Sequence, residues 1–283
     1  MKKQKGKSWV HYFARSPNGM VGFIVLTILI IGALVSLFHA TPSDPLAQDV
    51  ANIMKGPSSH HLFGTDQFGR DVFSRVLDGI RRSLTVSVMA VSVAVVIGVL
   101  LGVFGGYFGT FLDTLIMRVS DVFFAFPAIL MALAIVSALG HSMYDTAIAI
   151  AIVYTPIFVR VTRGPVLSIR EMDYVKSVRV LGFSTWRILT KHILPNIMPT
   201  VLVQIALSLS WAILTESGLS FLGLGTQAPD ASLGLMVSES QSLVSFAWWT
   251  FAAPSFFLVL AVISLNLVGD GLRDSLDPTR RSI

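Results

Sequence analysis

The chain has no cysteine among its 283 residues. Disulfide scaffolds, zinc–thiolate sites, iron–sulfur ligation and thiol chemistry are thereby excluded. Charge is scarce too. Asp, Glu, Lys and Arg make up 13% of the residues and hydrophobic residues 53%, whereas soluble domains carry about 25% charge. So little charge cannot cover a water-soluble globule of this size, which argues against a cytosolic enzyme, a disordered chain and a nucleic-acid-binding module. There is no Gly-x-x-x-x-Gly-Lys-Ser/Thr phosphate loop and no His-Glu-x-x-His metalloprotease motif, so neither a nucleotide-cleaving nor an intramembrane zinc site is indicated. What is abundant is glycine (22) and phenylalanine (19), a composition suited to membrane helices that pack closely through small residues.

A helix needs about 20 mostly apolar residues to cross the hydrocarbon of a bilayer. Six stretches qualify or nearly do: 16–43, most apolar over 21–38; 84–108; 122–139, interrupted by Pro127; 147–159, which spans only with its flanks from 142 to 165; 193–215; and 248–268. The first is longer than the apolar region of a signal peptide and reads as a retained membrane helix. With the N-terminus in the cytoplasm, 16 of the 21 basic residues fall on inside segments. This positive-inside asymmetry puts both termini in the cytoplasm and agrees with an even number of spans. It also explains the net charge of +5 without a nucleic-acid partner. The expected division is a cytoplasmic segment 1–20, a first transmembrane helix 21–40, an extracytoplasmic loop 41–83, a core 84–270 with five further spans, and a cytoplasmic tail 271–283.

Two loops are too long to be plain connectors. The outer one carries Gly64, Thr65, Asp66, Gly69, Arg70, Asp71, Ser74 and Arg75. Its charges alternate in sign, which suits either a self-paired turn on the membrane face or a docking surface for a soluble partner. His60 and His61 lack the further ligands that a metal would need. The inner loop, 160–195, can fold as a short helix over 171–181 with Tyr174, Val178 and Leu181 on one stripe. Gly182 can close that helix in a left-handed turn. Ser184 can cap a second helix over 185–193 with Trp186, Leu189 and Ile193 on its apolar side, and Pro195 should break it before the fifth span. Such a knob suits a groove on another protein or a resting place on anionic lipid.

Within the membrane, Gln204, Ser208 and Glu216 on the fifth span are candidates for a pathway or gate, because polar groups there tend to face protein or water. Glu216 equally suits hydrogen bonding to backbone in the glycine-rich turn that follows. Asp121 is expected to pair with Arg118 or Arg160 near the cytoplasmic surface. Pro127 and Pro156 can each bend a helix, as packing or as a hinge.

The inner loop resembles the cytoplasmic signature of the permease subunits of binding-protein-dependent ABC importers. Gly182, Leu194 and Pro195 stand in register with that signature. Lys176-Ser-Val178 replaces its Glu-Ala-Ala and His192 its Ile. The segment Asp173-Tyr-Val175 resembles the peptide/nickel subgroup, as does the outer run Gly64–Arg75. Phe126-Pro127, Glu216 to Gly225, and Asn266 to Pro278 add to the likeness. The resemblance implies an all-α type I importer permease in the bacterial inner membrane, in its "C"-type subunit form. It implies a heterodimer with a homologous permease, two ATP-binding cassette subunits beneath, and an extracytoplasmic substrate-binding protein. The coupling element would comprise Glu171, Asp173, Tyr174, Val175, Lys176, Val178, Leu181, Gly182, Trp186, Ile188, Leu189, His192, Leu194 and Pro195. ATP and Mg would be held by the partner ATPases and no cofactor by this chain. Di- or oligopeptides, glutathione, and nickel or metallophore complexes are the cargo classes implied. An ion-coupled secondary transporter is the competing class, disfavoured by the lack of a clear internal repeat.

The native absence of cysteine makes topology directly testable. A single cysteine at Ser59 should react with a membrane-impermeant maleimide added outside intact cells. One at Ser184 should react only after the cytoplasmic face is opened.

Overall fold

A computed structural model describes residues 9–276. The basic cluster Lys2, Lys3, Lys5 and Lys7, and Asp277, Pro278, Arg280 and Arg281, lie outside the described residues. A short helix α1, Trp9–Phe13, precedes α2, Pro17–Leu37. Ser16 caps α2 by accepting from the Gly19 N–H, with Pro17 in the first turn, where its missing N–H costs nothing. Then come α3, Val72–Phe108; α4, Thr110–Phe124; α5, Ala128–Leu139; and α6, Met143–Arg170. The cytoplasmic loop forms α7, Asp173–Val180, and α8, Thr185–Ile188, and leads into α9, Leu194–Phe221; α10, Leu233–Ser240, and α11, Trp248–Leu276, complete the order. Among the described residues the sole β feature is an isolated bridge between Thr65 and Asp71.

Five helices are long and apolar enough to cross a membrane, or six if a bent pair counts as one span. That pair corrects the expected third span. Residues 122–139 are not one interrupted helix: α4 and α5 meet at 95°. Pro127 cannot continue α4, and it stands as the N-terminal flanking residue of α5. With 12 residues, α5 covers about 18 Å, less than the hydrocarbon. The second span also starts earlier than expected. Asp71 caps α3 by accepting from the Ser74 N–H at 2.8 Å, so residues 72–83 are helical rather than loop. The fourth span is longer too: a reciprocal capping box between Ser142 and Asp145 opens α6, which runs through Pro156 and Pro165 for 28 residues.

Helices α3 and α6 form the central pair. Gly98, Gly102 and Gly106 recur every fourth residue on α3 and lie directly against Phe158, Val159, Thr162 and Val166 of α6. A Cβ on Gly98 would come within 2.5 Å of the Phe158 Cβ, and one on Gly102 within 2.7 Å of the Val159 carbonyl oxygen. On the other side α2 crosses α11 at Gly19 and Gly271, where an added Cβ on Gly19 would meet the Gly271 Cα at 2.9 Å. The buried apolar residues fall into three clusters. An outer one joins Leu29, Val72, Val76 and Ile80 to Leu233 and Leu265. A middle one joins α3, α5, α6 and α9 through Ala94, Val136, Ile150, Phe158 and Leu219. An inner one gathers Val166, Val175, Ile188, Ile193 and Ile197.

Gly102→Leu should therefore lose about 1–3 kcal/mol or more of stability by overpacking the seam, read as a lowered midpoint of thermal unfolding in detergent. A Cβ on Gly164 would meet nothing within 4 Å, so Gly164→Ala, inside α6, should not lower that midpoint and should raise it slightly through helix propensity.

Candidate functional site: a cytoplasmic knob and an outer ionic knot

The knob is built from the backbone outward. Helix α7 ends in a complete Schellman turn. The Gly182 N–H donates to the Arg179 carbonyl at 3.0 Å and the Phe183 N–H to the Val178 carbonyl at 3.2 Å. Gly182 has φ +76°, and open space surrounds the position a Cβ would take. Glycine is needed there for its backbone angle, not for room. Ser184 has the extended backbone of a capping residue but makes no side-chain cap bond.

Pro195 does not break the next helix. The chain passes from α8 through a π-helical turn, Leu189–Ile193, directly into α9. The Leu194 N–H closes that turn on the Leu189 carbonyl. Widening the helix by one residue there lets Pro195 enter the first turn of α9, where its absent N–H is tolerated. Knob and fifth span are one continuous rod of 37 residues, Thr185–Phe221.

The knob's two faces differ from the expected stripes. Val175, Ile188, Leu189 and Ile193 are buried in the inner cluster, with Val178, Phe183 and Leu194 packed against it. Leu181 and Trp186, each expected on an apolar stripe, are 73% and 69% exposed, and Val180 is 87% exposed. Met172 and Tyr174 extend this apolar surface. Tyr174 sits beside His192, whose carbonyl accepts from Asn196 Nδ2 at 2.6 Å. Lys176 and Glu171 form a solvent-exposed pair at 3.4 Å, and Asp173 opens α7 in its first turn.

The root of the knob is held by arginines. Arg170 Nη1 donates to the Gly106 carbonyl at 2.7 Å and the Tyr107 carbonyl at 3.3 Å, a cation on the exposed carbonyls at the C-terminus of α3. Arg163 makes a bidentate pair with Asp113 of α4 at 2.5 and 2.6 Å. Asp121 pairs with Arg160 at 2.9 Å.

On the outer side the motif residues face inward. Arg70 Nε donates to Asp66 Oδ2 at 2.6 Å, and Glu239 Oε2 of α10 lies 3.5 Å from Arg70 Nη2 and 3.4 Å from Arg75 Nη2. Arg75 is 1% exposed and also reaches the Pro45 and Pro229 carbonyls. Asp71 accepts from Ser74 and contacts His61 Nδ1 at 3.0 Å. The Ser74 hydroxyl in turn accepts from the Ser43 N–H. Thr65 Oγ1 accepts from the Lys55 N–H at 2.9 Å and donates to the Asn52 carbonyl. Gly64 and Gly69 have φ near +74° and +73° and lie against Trp249 and the Asp49 backbone. No group of three or more His, Asp or Glu is placed to hold a metal among the described residues.

The pathway candidates do not converge. Glu216 is fully buried. It accepts from the hydroxyls of Ser83 at 2.7 Å, Ser220 at 2.8 Å and Ser217 at 3.3 Å, rather than from backbone groups of the turn. Ser208 is buried and accepts from Gln204 Nε2 at 3.1 Å. Gln204 lines a cavity of about 550 Å³ toward the cytoplasmic end, with Asn196, Thr200 and Arg273. Pro127 lies exposed at the α4–α5 bend. Sequence reasoning missed Asp78, which binds Ser36, Arg81 and Arg82, and the bidentate Arg82–Asp230 pair at 2.7 Å. The available signal was an acid three and four residues before two arginines at a helix start.

A mostly apolar bundle of long helices with a polar-rimmed loop knob is the build of a multi-pass membrane protein. The model of the binding-protein-dependent transport system inner membrane component matches residues 74–282, and the chain belongs to that family: it is a multi-pass permease of the bacterial inner membrane. It is 43% identical over 263 residues to the dipeptide transport system permease protein DppC of Alkalihalophilus pseudofirmus, covering 93% of this chain and 86% of that one. It is 38% identical to the probable D,D-dipeptide transport system permease protein DdpC of Escherichia coli K12, covering 96% and 91%. With the glutathione transport system permease protein GsiD of Pectobacterium atrosepticum identity is 42%, covering 83% and 78%. In fold it is similar to an inward-facing MetNI methionine ABC transporter chain, with TM-score 0.59 and 16% identity over 72% of this chain and 96% of that one.

Arg75→Leu should remove about 3–5 kcal/mol, the usual result of orphaning buried charge partners. The check is a lowered unfolding midpoint with outer-loop proteolysis between residues 41 and 71. Adding Glu239→Gln should recover part of the loss.

Proposed function

We propose that this chain is one half of the membrane pathway of an ATP-driven importer for di- or oligopeptides. It passes work from ATPase subunits into the bilayer through the knob at 173–193. The observation that carries this reading is the knob's divided surface. Its inner side is fastened into the permease core, while Val180, Leu181 and Trp186 stand exposed on the cytoplasmic side. An apolar tip on a rigid base suits a groove on a soluble partner. The partner in this reading is one of two ATP-binding cassette subunits, which hold ATP and Mg. The permease chain itself hydrolyses nothing and binds no cofactor.

The second surface is the unpartnered face of the bent pair. Leu112, Leu115, Val122, Phe124, Phe126 and Leu130 are exposed along it. A homologous permease subunit covers this face in the assembled heterodimer, and the pathway lies between the two. Peptide as cargo rests on the names of the relatives, and an extracytoplasmic binding protein delivers it. The bend at Pro127 puts a break in the wall of that pathway, where irregular backbone is tolerated only if it lines a cavity or packs on protein.

The test uses the purified complex in proteoliposomes. Gly182→Val forces a β-branched residue into a left-handed conformation, costing about 1–2 kcal/mol in the turn between α7 and α8. The variant should still insert and assemble. Peptide uptake per ATP hydrolysed should fall about tenfold, and the permease chain alone should show no ATP hydrolysis. Undiminished uptake in Gly182→Val and in Leu181→Asp together would refute the coupling role.

A further inference from the structure

Helix α2 leaves a sideways opening where it meets α3. The cleft has a volume of about 430 Å³, walled by Ile30, Leu34 and Leu37 on one side and Leu84, Val88 and Met89 on the other. It runs from Arg81 down to Met89, about 12 Å along the helix, with its outer end at Arg81. Leu34, Leu37 and Val88 are 44%, 51% and 50% exposed. These positions lie in α2 and α3, both long and apolar enough to cross a membrane, and the opening runs between them.

The outer end of this slot meets a second cavity of about 190 Å³, which shares Leu37 and Arg81. Its walls carry both signs of charge: Arg81 and Arg82, and Asp44 and Asp78, with His39 beside them. Arg82 is committed to Asp78 and Asp230. Asp78 is committed to both arginines and Ser36. Arg81 uses Nε and Nη2 on Asp78 at 3.0 and 2.6 Å, and its Nη1 makes no hydrogen bond to the described residues. Asp44 accepts from the Leu46 N–H with Oδ1, and its Oδ2 has no partner among them. One N–H of Arg81, whose charge is otherwise met by Asp78, and one oxygen of the exposed Asp44 therefore stand open at the mouth of an apolar slot.

A hydrocarbon alone would leave the charged chamber unused. A soluble zwitterion would leave the slot unfilled. A phospholipid with a purely anionic headgroup would leave the Asp44 carboxylate unmatched. We propose that the cleft holds an acyl chain of an outer-leaflet phospholipid whose phosphate is bound by Arg81 and whose primary amine is bound by Asp44. Phosphatidylethanolamine meets all three requirements. The lipid fills space between the first helix and the core, so it acts as a fastener for α2. The inference stands independently of the cargo and of the ATPase coupling.

The complete importer complex is reconstituted in vesicles containing trace phosphatidylethanolamine or phosphatidylglycerol, each with a photoreactive acyl chain. Crosslinked peptides are mapped by mass spectrometry. The ethanolamine probe should mark residues 30–37 and 84–89, be displaced by unlabelled phosphatidylethanolamine, and be displaced poorly by phosphatidylglycerol. Leu34→Trp, which fills the slot from an exposed position, should abolish the marking. Arg81→Gln should weaken it about tenfold, the scale of one charge-assisted hydrogen bond. Asp44→Asn should erase the preference between headgroups. Should Arg81→Gln fail to assemble, the other two variants carry the test. Marking no stronger than at Val93 and Val96, equal marking by both headgroups in the unaltered complex, or a site-specific crosslink placing the companion permease in the cleft would each overturn the proposal.

Discussion

Everything in this structure depends on how closely α3 can approach α6. Lipid tails are as apolar as leucine, so burying apolar side chains supplies little force between helices inside a bilayer. What remains is close packing, and it is greatest where backbones touch. Gly98, Gly102 and Gly106 present a flat strip to α6. The strip spans two turns of helix and brings α3 against Phe158, Val159, Thr162 and Val166. Both flanking groups then take their positions from this pair. Helix α9 packs into the middle cluster beside Phe158 and Ala94, and α2 reaches the start of α3 through the outer cluster.

Charge is handled by the same economy. Among the described residues, the buried Arg70, Arg75 and Asp78 of the outer face each meet a group of opposite sign, and buried Asp71 accepts from the Ser74 N–H and contacts His61. Arg75 is the centre, because it touches Asp66, Glu239, Pro45 and Pro229 at once. One side chain thereby binds the long outer loop to α3, to α10 and to the segment between α9 and α10. Glu216 plays a matching part deeper in the bundle, joining Ser83 of α3 to Ser217 and Ser220 of α9. A carboxylate surrounded by hydroxyls within the chain's own core is a fastening between two helices. Gln204, by contrast, lines the cavity toward the cytoplasmic end with Asn196, Thr200 and Arg273.

The long spans were legible because hydropathy reports them with little interference from tertiary contacts. Gly182 was legible for a local reason: a left-handed residue after α7 is written in the i to i+5 register of one short segment. Three features were not. The extension of α3 back to Val72 was hidden because Arg75, Asp78, Arg81 and Arg82 look like loop residues until their partners, Glu239 and Asp230, are known. The division of each knob stripe into a packed part (Val178, Leu189, Ile193) and an exposed part (Leu181, Trp186) was hidden because its two helices are too short for periodicity to say which side meets the bundle. The continuity through Pro195 was hidden because proline argues for a break, and only a π-turn accommodates it without one. The first miss is a distant contact overriding a local reading; the third is a local turn that proline alone does not announce.

Under the proposed coupling role, that π-turn sets how the knob would act as a mechanical part. A break at Pro195 would make the knob a hinged flap, free to move without the bundle. With Leu189–Ile193 closing the gap, α8 and α9 form one rod that reaches from the cytoplasmic tip to the buried Glu216. The root of the rod is clamped beside α6 by Ile188, Ile193 and Val166 in one cluster. Nearby, Arg170 fixes the end of α6 to the end of α3. A push on Leu181 and Trp186 is then shared between α6, α3 and α9, because close-packed helices transmit strain rather than absorb it. The least tied element in its way is the α4–α5 pair, already bent at Pro127 and joined to α6 through Asp113 and Asp121. Rigid on one side and bent on the other, the bundle would, in the proposed coupling role, answer a displacement of the knob most readily at the space beside α5.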